Sequence, residues 1–182
     1  DYSTIIENFD LVISVHCFQF FPKELVNSIR CINVHPGYNP INRGWYPQVF
    51  AIINNLQIGA TIHEMDEKLD NGDIIAREFV EKFDTDTSFS LYNRVLEKEI
   101  KLLDQNFQQI IDNNYKKIKP ENSGNMFKKN DFNELCELNM EEINSFKYFY
   151  DKMRALTHGN YKNAFFINEK GEKTFISIDI EI

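Results

Sequence analysis

The stretch that decides the fold is residues 31–50, CINVHPGYNPINRGWYPQVF. It begins with a short apolar run of β type, passes through a loop rich in Pro, Gly and Asn, and ends in a segment that predicts a helix. Asn33 and His35 stand two apart at the end of the predicted strand, so side-chain alternation places them on the same face. The stretch therefore predicts a strand–loop–helix unit with two polar side chains at the carboxyl end of the strand.

Further strands and helices are predicted on both sides of this unit. Short apolar runs indicate strands at residues 10–16, 59–65 and 73–80, and Pro22 suits the first turn of a short helix. Apolar residues recur at every third or fourth position over residues 88–113, which predicts a long amphipathic helix. Alternating strands and helices predict an α/β fold with a largely parallel sheet.

The C-terminal third is predicted to form an appendage on this core. Residues 121–131 are polar and loop-like, and a helix is predicted from about residue 140 to residue 156. The tail, NAFFINEKGEKTFISIDI, predicts a β-hairpin with Gly171 at its turn. We therefore place a domain boundary between a core of residues 1–119 and a C-terminal part of residues 120–182.

The predicted hairpin has an apolar face that needs a partner surface. Packing against a second copy of the chain would make a homodimer, and packing against its own domain would satisfy the same side chains. We expect a homodimer through the C-terminal part. The apolar residues concerned are Phe165, Phe166, Phe175 and Ile178.

Composition and charge argue against several classes of protein. The 182-residue chain has a formal net charge of −8, whereas nonspecific nucleic-acid binding requires clustered Lys and Arg, so no nucleic-acid partner is expected. No apolar run approaches the roughly 20 residues that a membrane span requires, so no membrane partner is expected. Cys17, Cys31 and Cys136 are widely spaced and show no ligand spacing. They predict neither a metal site nor a disulfide framework and fit a reducing, cytoplasmic location.

The polar residues near the predicted strand ends point to acyl chemistry. The turn DEKLDNGDII brings Asp66, Asp70 and Asp73 to the end of another predicted strand, and ligands bind beyond the carboxyl ends of strands in α/β sheets. Asn33 offers an amide donor for a developing oxyanion, and His35 offers a base that works near neutral pH. A carboxylate from the turn could orient the imidazole.

These residues carry a resemblance to a known family. The opening stretch contains N-V-H-P and N-R-G, and residues 59–66 (GATIHEMD) and 69–75 (LDNGDII) follow it. This series resembles the formyltetrahydrofolate-dependent formyltransferases. Residues 35–50 (HPGYNPINRGWYPQVF), together with residues 154–166 (RALTHGNYKNAFF), are similar to the sequences of the branch that acts on dTDP-4-amino-4,6-dideoxyglucose. The resemblance implies a Rossmann-like core and transfer of a formyl group from N10-formyltetrahydrofolate to a sugar amine, in cytoplasmic surface-polysaccharide (O-antigen) biosynthesis.

Catalytic roles are implied by the same resemblance. Asn33 would hydrogen-bond the formyl oxygen as it gains charge, and Asp70 would orient His35 and pass protons. His35 would act either as the general base or as a second group that holds the oxyanion, and the sequence leaves both roles open.

Binding roles are implied as well. The pterin of the folate is expected against the aromatic run after the first strand, although core packing would also explain that run. The expected cofactor-binding residues are Cys17, Phe18, Gln19, Phe20, Asp66 and Asp73. A nucleotide sugar is expected against the rigid loop and its neighbours, where a salt bridge for Arg43, hydrophobic anchoring for Trp45 and a core position for His63 are alternatives. The expected substrate-binding residues are Tyr38, Asn39, Arg43, Trp45, Tyr46 and His63.

The chain departs from the family pattern at its beginning. Family members usually carry a further βαβα segment before the stretch that matches residues 1–14, and that segment is expected to be absent here. Two alternatives therefore stand beside the leading hypothesis. The substrate could be a 3-amino nucleotide sugar, or the chain could be a catalytically silent fragment that binds folate or nucleotide.

Overall fold

A computed structural model describes residues 2–120 and 122–181 as short helices and strands around one mixed sheet. The predicted strands and helices between residues 10 and 113 are confirmed to within about two residues. The helices are α1 (Tyr2–Asn8), α2 (Lys23–Ser28), α3 (Pro47–Ile53), α4 (Ser88–Ile111), α5 (Lys129–Cys136) and α6 (Phe146–Leu156). The strands are β1 (Leu11–Val15), β2 (Arg30–His35), β3 (Arg43–Gly44), β4 (Ile58–Glu64), β5 (Ile74–Val80), β6 (Met126–Phe127), β7 (Phe165–Ile167) and β8 (Lys173–Phe175).

The main sheet has four strands in the order β1-β2-β4-β5. The α/β class is confirmed, but the sheet is mixed rather than largely parallel. Strands β1 and β2 are parallel, whereas β2–β4 and β4–β5 are antiparallel. The loop and α3 return the chain to the end of β2 that carries His35, which pairs with Thr61 in the middle of β4. Residues 65–73 then join β4 to β5 without a helix, a connection that suits antiparallel strands.

Helix α4 covers one face of this sheet. Its Leu102 and Ile110 pack with Ile32, Val34 and Ile62 of the sheet in one hydrophobic cluster. Thr87 caps the helix: its side chain accepts a hydrogen bond from the Ser90 N–H, and the Ser90 side chain accepts one from the Thr87 N–H. The predicted amphipathic helix is confirmed, and its buried stripe holds it on the sheet.

The C-terminal part shares a core with the segment that follows the decisive loop. Ala155 and Leu156 of α6 lie in one cluster with Val49 and Ile52 of α3 and Val95 of α4. The boundary between residues 119 and 120 stays a prediction, but the packing joins its two sides through α6. Strands β3 and β6 form one small sheet and strands β7 and β8 another. Gly171, at the turn between β7 and β8, has a φ of 78°, in the left-handed region that suits glycine at a hairpin turn.

Several elements were not predicted because their sequence signals are weak. Helix α5 lies in and after the segment expected to be loop, and its eight residues contribute only Cys136 as a buried residue. Strands β3 and β6 have two residues each, which is too short for a period to show. Helix α6 begins at Phe146, after Ser145 caps it, rather than near residue 140. Within residues 2–120 and 122–181, no helix is long and apolar enough to cross a membrane.

Candidate active site

A cavity of about 620 Å³ lies where the polar residues at the strand ends meet. Its wall is built from four places in the chain: the segment that follows β1, the end of β2, the start of α3 and the turn between β4 and β5. Side chains from α4, α5 and the segment after α6 complete it. The expectation that the functional residues cluster beyond strand ends agrees with this arrangement.

The carboxylate of Asp70 is the centre of the polar part of the cavity. Its Oδ1 accepts a hydrogen bond from Asn33 Nδ2 at 3.0 Å, and its Oδ2 accepts one from the Gly44 N–H at 2.9 Å. Two imidazoles also face it: His35 Nδ1 lies 3.6 Å from Oδ2, and His63 Nε2 lies 3.5 Å from Oδ1. The structure therefore brings Asn33, His35 and Asp70 together, as the sequence predicts.

The two histidines are both held on their far side by main-chain carbonyls. His35 Nε2 lies 3.1 Å from the Asn42 oxygen, and His63 Nδ1 lies 2.6 Å from the Glu64 oxygen. Because a carbonyl oxygen only accepts, each of these nitrogens carries a proton. The remaining nitrogen of each ring, His35 Nδ1 and His63 Nε2, faces the Asp70 carboxylate.

The environment of Asp70 favours its charged form. Its side chain is only 7% exposed, and burial alone would raise the pKa. The facing imidazoles of His35 and His63 and the hydrogen bond from the Gly44 N–H outweigh the burial and hold the pKa of Asp70 well below its ordinary value. The cavity therefore contains a buried carboxylate that stays ionised near neutral pH.

Local backbone features place Asp70 at this point. Asp70 itself has a φ of 47°, in the left-handed region that non-glycine residues rarely adopt. A Cβ at Gly72 would overlap the Glu64 carbonyl oxygen, so the turn passes too close to β4 for a larger residue. Asn39 Nδ2 donates to the Asp70 carbonyl at 3.0 Å and Arg43 Nη1 donates to Asn71 Oδ1 at 3.0 Å, which ties the loop after β2 to the turn.

Aromatic side chains form another part of the wall of the same cavity. Phe18 is 79% exposed and stacks on Trp45, with ring centroids 5.4 Å apart. Tyr46 lies beside Trp45 at 5.7 Å and packs on Phe132 of α5 at 4.1 Å. Of the residues predicted for folate and sugar binding, the cavity lining includes Cys17, Phe18, Gln19, Phe20, Asp66, Trp45, Tyr46 and His63.

Four predicted binding residues lie outside this lining, and their binding roles stay predictions. Tyr38 stacks on Phe79 of β5 with centroids 3.7 Å apart. Asn39 and Arg43 are engaged in holding the Asp70 turn, as described above. Asp73 helps to join the turn to β4 through its main-chain oxygen, which accepts a hydrogen bond from the Glu64 N–H. Side-chain direction in loops follows no fixed period, so sequence position near the motif did not show which residues face the cavity.

Other lining residues were not predicted as site residues. They come from the residue directly after β1, from α4 and from residues 158–163 after α6, which the tertiary fold brings to the cavity. The sequence leaves two roles open for His158, contact with the nucleotide and a role in a turn. Its Nδ1 lies 3.0 Å from Ser88 Oγ, and burial lowers the pKa of its imidazole. The helical period of α4 predicts its apolar stripe, but it does not predict that the polar side chains of Ser88 and Tyr92 line a cavity. The residues in question are His16, Ser88, Tyr92, His158, Tyr161 and Asn163.

Fold and site together define an α/β transferase with an Asn–His–Asp group at the strand ends. The model of the family described as "Formyl transferase" matches residues 5–107, and the model described as "N-formyltransferase dimerization C-terminal domain" matches residues 131–182. The chain belongs to the formyl transferase family. The resemblance inferred from the sequence motifs is confirmed.

The chain is also similar to named relatives and solved structures. It is 44% identical to a dTDP-4-amino-4,6-dideoxyglucose formyltransferase of Mycobacterium tuberculosis, over 97% of this chain and 76% of the relative. A sugar N-formyltransferase from Shewanella matches 100% of this chain and 74% of its own at a TM-score of 0.98 and 43% identity. A 4-N formyltransferase from Francisella tularensis matches 100% of this chain and 75% of its own at a TM-score of 0.95 and 45% identity.

A more distant structure carries ligands. The N-formyltransferase from Helicobacter canadensis was solved with folinic acid and dTDP-3-aminofucose. It matches 79% of this chain and 53% of its own at a TM-score of 0.69 and 26% identity.

Proposed function

We propose that the chain transfers a formyl group from N10-formyltetrahydrofolate to the amine of a dTDP-linked 4-amino-4,6-dideoxy sugar. The observation that carries the proposal is the buried, ionised Asp70 flanked by Asn33 and His35 in one cavity. Two of the relatives named above support the substrate: the Mycobacterium tuberculosis protein is described as a dTDP-4-amino-4,6-dideoxyglucose formyltransferase, and the Francisella tularensis protein as a 4-N formyltransferase.

Asn33 is the proposed donor to the formyl oxygen. One amide hydrogen of its Nδ2 is donated to Asp70 Oδ1 at 3.0 Å. The same Nδ2 also lies 3.4 Å from His63 Nε2, a longer contact that a substrate oxygen can replace. A donor fixed before the reaction lowers the barrier because the negative charge develops on an oxygen that it already faces.

His35 acts, in this proposal, as the second donor to that oxygen. Its Nε2 proton is committed to the Asn42 carbonyl, so only Nδ1 is free to act. Nδ1 lies 3.6 Å from the Asp70 carboxylate, and a proton on Nδ1 would place a donor between that carboxylate and the substrate oxygen. The geometry thus supports the oxyanion role over the general-base role, the two alternatives that the sequence left open.

Asp70 accepts the proton that the sugar amine loses. The amine nitrogen forms a bond to the formyl carbon, the bond from that carbon to the folate N10 breaks, and one proton must pass from the amine to N10. Asp70 is the carboxylate nearest to Asn33 and His35 in the cavity, and it can hold this proton in transit. His63, which is 1% exposed, then serves to hold Asp70 in place rather than to bind sugar.

The aromatic wall is the proposed site for the flat ring of the folate. Phe18 exposes its ring to the cavity and is supported from behind by Trp45. Aromatic rings bind flat heterocycles by offset stacking, and a slot of this kind excludes water from the reacting atoms. The residues present therefore fit a pterin-bearing substrate, and Trp45 and Tyr46 are left to contact either ring or sugar.

The second proposal concerns assembly and location. The C-terminal family model is described as a dimerization domain, and the hairpin exposes apolar side chains: Ile167 is 47%, Phe175 43% and Ile176 37% exposed. We infer a homodimer through this surface, in the cytoplasm, serving surface-polysaccharide synthesis. Sedimentation velocity of the chain and of a Phe175→Asp variant tests the dimer; a wild-type chain that sediments as a monomer contradicts it.

A competition assay tests the substrate. The chain is given N10-formyltetrahydrofolate and an equal mixture of dTDP-4-amino- and dTDP-3-amino-dideoxyglucose, and the products are separated and weighed by mass spectrometry. We expect the 4-formamido sugar to dominate. Dominance of the 3-formamido sugar would support the alternative substrate, and tight binding of both ligands without any product would support a silent fragment.

A further inference from the structure

A second polar cluster lines the cavity and takes no part in the chemistry above. Glu99 of α4 is buried, with a side chain 4% exposed, and its Oε2 lies 2.7 Å from His16 Nε2. The other nitrogen of that ring, Nδ1, lies 2.9 Å from the hydroxyl of Tyr92. His16 and Tyr92 line the cavity, so the chain Glu99–His16–Tyr92 runs from the interior to the cavity wall.

The backbone holds His16 in place between Glu99 and Tyr92. Directly after β1, His16 has a φ of 53°, a left-handed conformation that residues with a side chain rarely adopt. Such strain persists where surrounding contacts determine it, and it is frequent at functional sites. The bond to Glu99 is the contact that fixes the imidazole here.

Glu99 has a physical reason to keep His16 protonated. Its Oε1 is buried and has no hydrogen-bond partner among the described residues, so the Nε2–H of His16 is the donor available to this carboxylate. A buried carboxylate is costly unless a charge or hydrogen bond compensates it. In agreement, the hydrogen bond from His16 to Glu99 outweighs the effect of burial and raises the pKa of His16.

The protonation state of His16 sets the direction of the Tyr92 hydroxyl. When Nδ1 carries a proton, it donates to the Tyr92 oxygen, and the hydroxyl hydrogen turns away from His16. When Nδ1 is bare, the hydroxyl donates to it, and Tyr92 offers only lone pairs to the cavity. Tyr92 is therefore a hydrogen-bond donor to the cavity only while His16 is charged.

The surroundings of Tyr92 indicate the kind of acceptor. The His16–Glu99 pair has no net charge, and the neighbouring rings are His158 at 5.4 Å and, beyond it, Tyr161. The titratable groups that face His16 and Tyr92 are Glu99 on α4 and His158 and Tyr161 after α6, with Cys17 next in the chain. An uncharged, aromatic surface with one hydroxyl donor suits a flat ring with a carbonyl oxygen better than it suits a phosphate.

We propose that Tyr92 positions a substrate by donating a hydrogen bond to a ring carbonyl oxygen, and that Glu99 and His16 hold its hydroxyl in the donating direction. This inference rests on the proposed function, whose two substrates each contain such a carbonyl, one in the pterin and one in the thymine. Both Glu99 and His16 are positioning residues here, and Tyr92 is the residue that contacts substrate.

The test measures binding of each half-site ligand by calorimetry, with 5-formyltetrahydrofolate and dTDP as separate probes. We expect Tyr92→Phe to weaken one of the two by about 3- to 10-fold, the value of one neutral hydrogen bond, and to leave the other unchanged. The ligand whose binding weakens is the one whose ring carbonyl accepts the hydrogen bond from Tyr92. Unchanged affinity for both, in a variant that melts like wild type, overturns the inference.

The pH dependence separates positioning from simple support. Because the folded-state pKa of His16 is raised, wild-type affinity for the responding ligand should stay full below that pKa and fall toward the Tyr92→Phe value as pH rises through it. In Glu99→Gln this loss of affinity should occur at lower pH. Dividing the affinity of wild type by that of Tyr92→Phe at each pH removes the effect of any ionisation of the ligand itself.

Two further outcomes are decisive. If Glu99→Gln does not fold, the ratio of wild-type affinity to Tyr92→Phe affinity for the responding ligand still tests the inference. A ratio that falls with rising pH supports it, and a constant ratio overturns it. If wild type binds neither probe, the proposed function fails and this inference fails with it. Imidazole NMR of His16 gives a readout apart from binding, since its titration midpoint must fall in Glu99→Gln.

Discussion

Replacing Asp70 with Asn removes the charge at the centre of the site and keeps nearly the same shape. Two unit charges about 4 Å apart interact by about 4 kcal/mol at an effective dielectric constant near 20, and His35 Nδ1 lies 3.6 Å from Asp70 Oδ2. If the charged His35 stabilises the transition state through this pairing, the barrier rises by about 4 kcal/mol and kcat falls by about 10³-fold. Binding of either substrate should change far less.

The same substitution has a cost in stability. The Asn33 amide and the Gly44 N–H donate to different oxygens of Asp70, and an asparagine offers one oxygen and one NH2 group. One buried donor is then left facing another donor, which costs about 1–3 kcal/mol. Because the folded-state pKa of Asp70 is lowered, this stabilisation is full above the unfolded pKa of about 3.9 and is lost as pH falls through the folded value.

Stopped-flow turnover and urea unfolding of Asp70→Asn measure both effects. Asp104→Asn is the matched control, since Asp104 is exposed on α4 and takes the same change of side chain. We expect the control to keep wild-type kcat and wild-type stability. A folded Asp70→Asn protein that retains kcat within about tenfold of wild type would refute the charge argument.

Three further substitutions test separate parts of the account. Asn33→Ala should lower kcat by roughly 10²–10³-fold with little change in melting temperature, as loss of one oxyanion donor does; an unchanged kcat would exclude that role. In Gly37→Ala the new Cβ would overlap His35 Nε2, so kcat should fall and the imidazole NMR signal of His35 should shift. If kcat and this signal both keep their wild-type values, the predicted overlap with the ring is wrong. Thr87→Ala removes the cap of α4 and should cost about 1 kcal/mol in urea unfolding without affecting KM; a loss of activity at full stability would contradict a purely structural cap.

The site's main residues were predictable because they follow simple local rules. Asn33 and His35 share a strand face by alternation, and the LDNGD turn must bring its carboxylates to the end of a neighbouring strand. The fold class followed from the alternation of strands and helices. The direction of β4 did not follow, since hydrophobic period shows that a strand exists and carries no information about its orientation.

The side-chain contacts that the sequence did not predict lie in loops or join residues distant in sequence. Arg43 lies in the decisive loop but points to Asn71, and Tyr38 turns toward β5. Tyr92 lies on a helix whose period reports only burial, and its contact with His16 spans 76 positions. Such contacts depend on how α4 crosses the sheet, which no local pattern specifies.

Single-turnover formyl transfer by wild type and by His35→Asn tests the central claim most directly. Enzyme in excess is mixed with N10-formyltetrahydrofolate and dTDP-4-amino-4,6-dideoxyglucose, and the sugar is followed by mass. The account predicts that wild type adds one formyl group to the sugar and that the folded variant, still binding both substrates, does so at least about 10²-fold more slowly. Equal rates for the two proteins would contradict the role of His35 and, with it, the site proposed here.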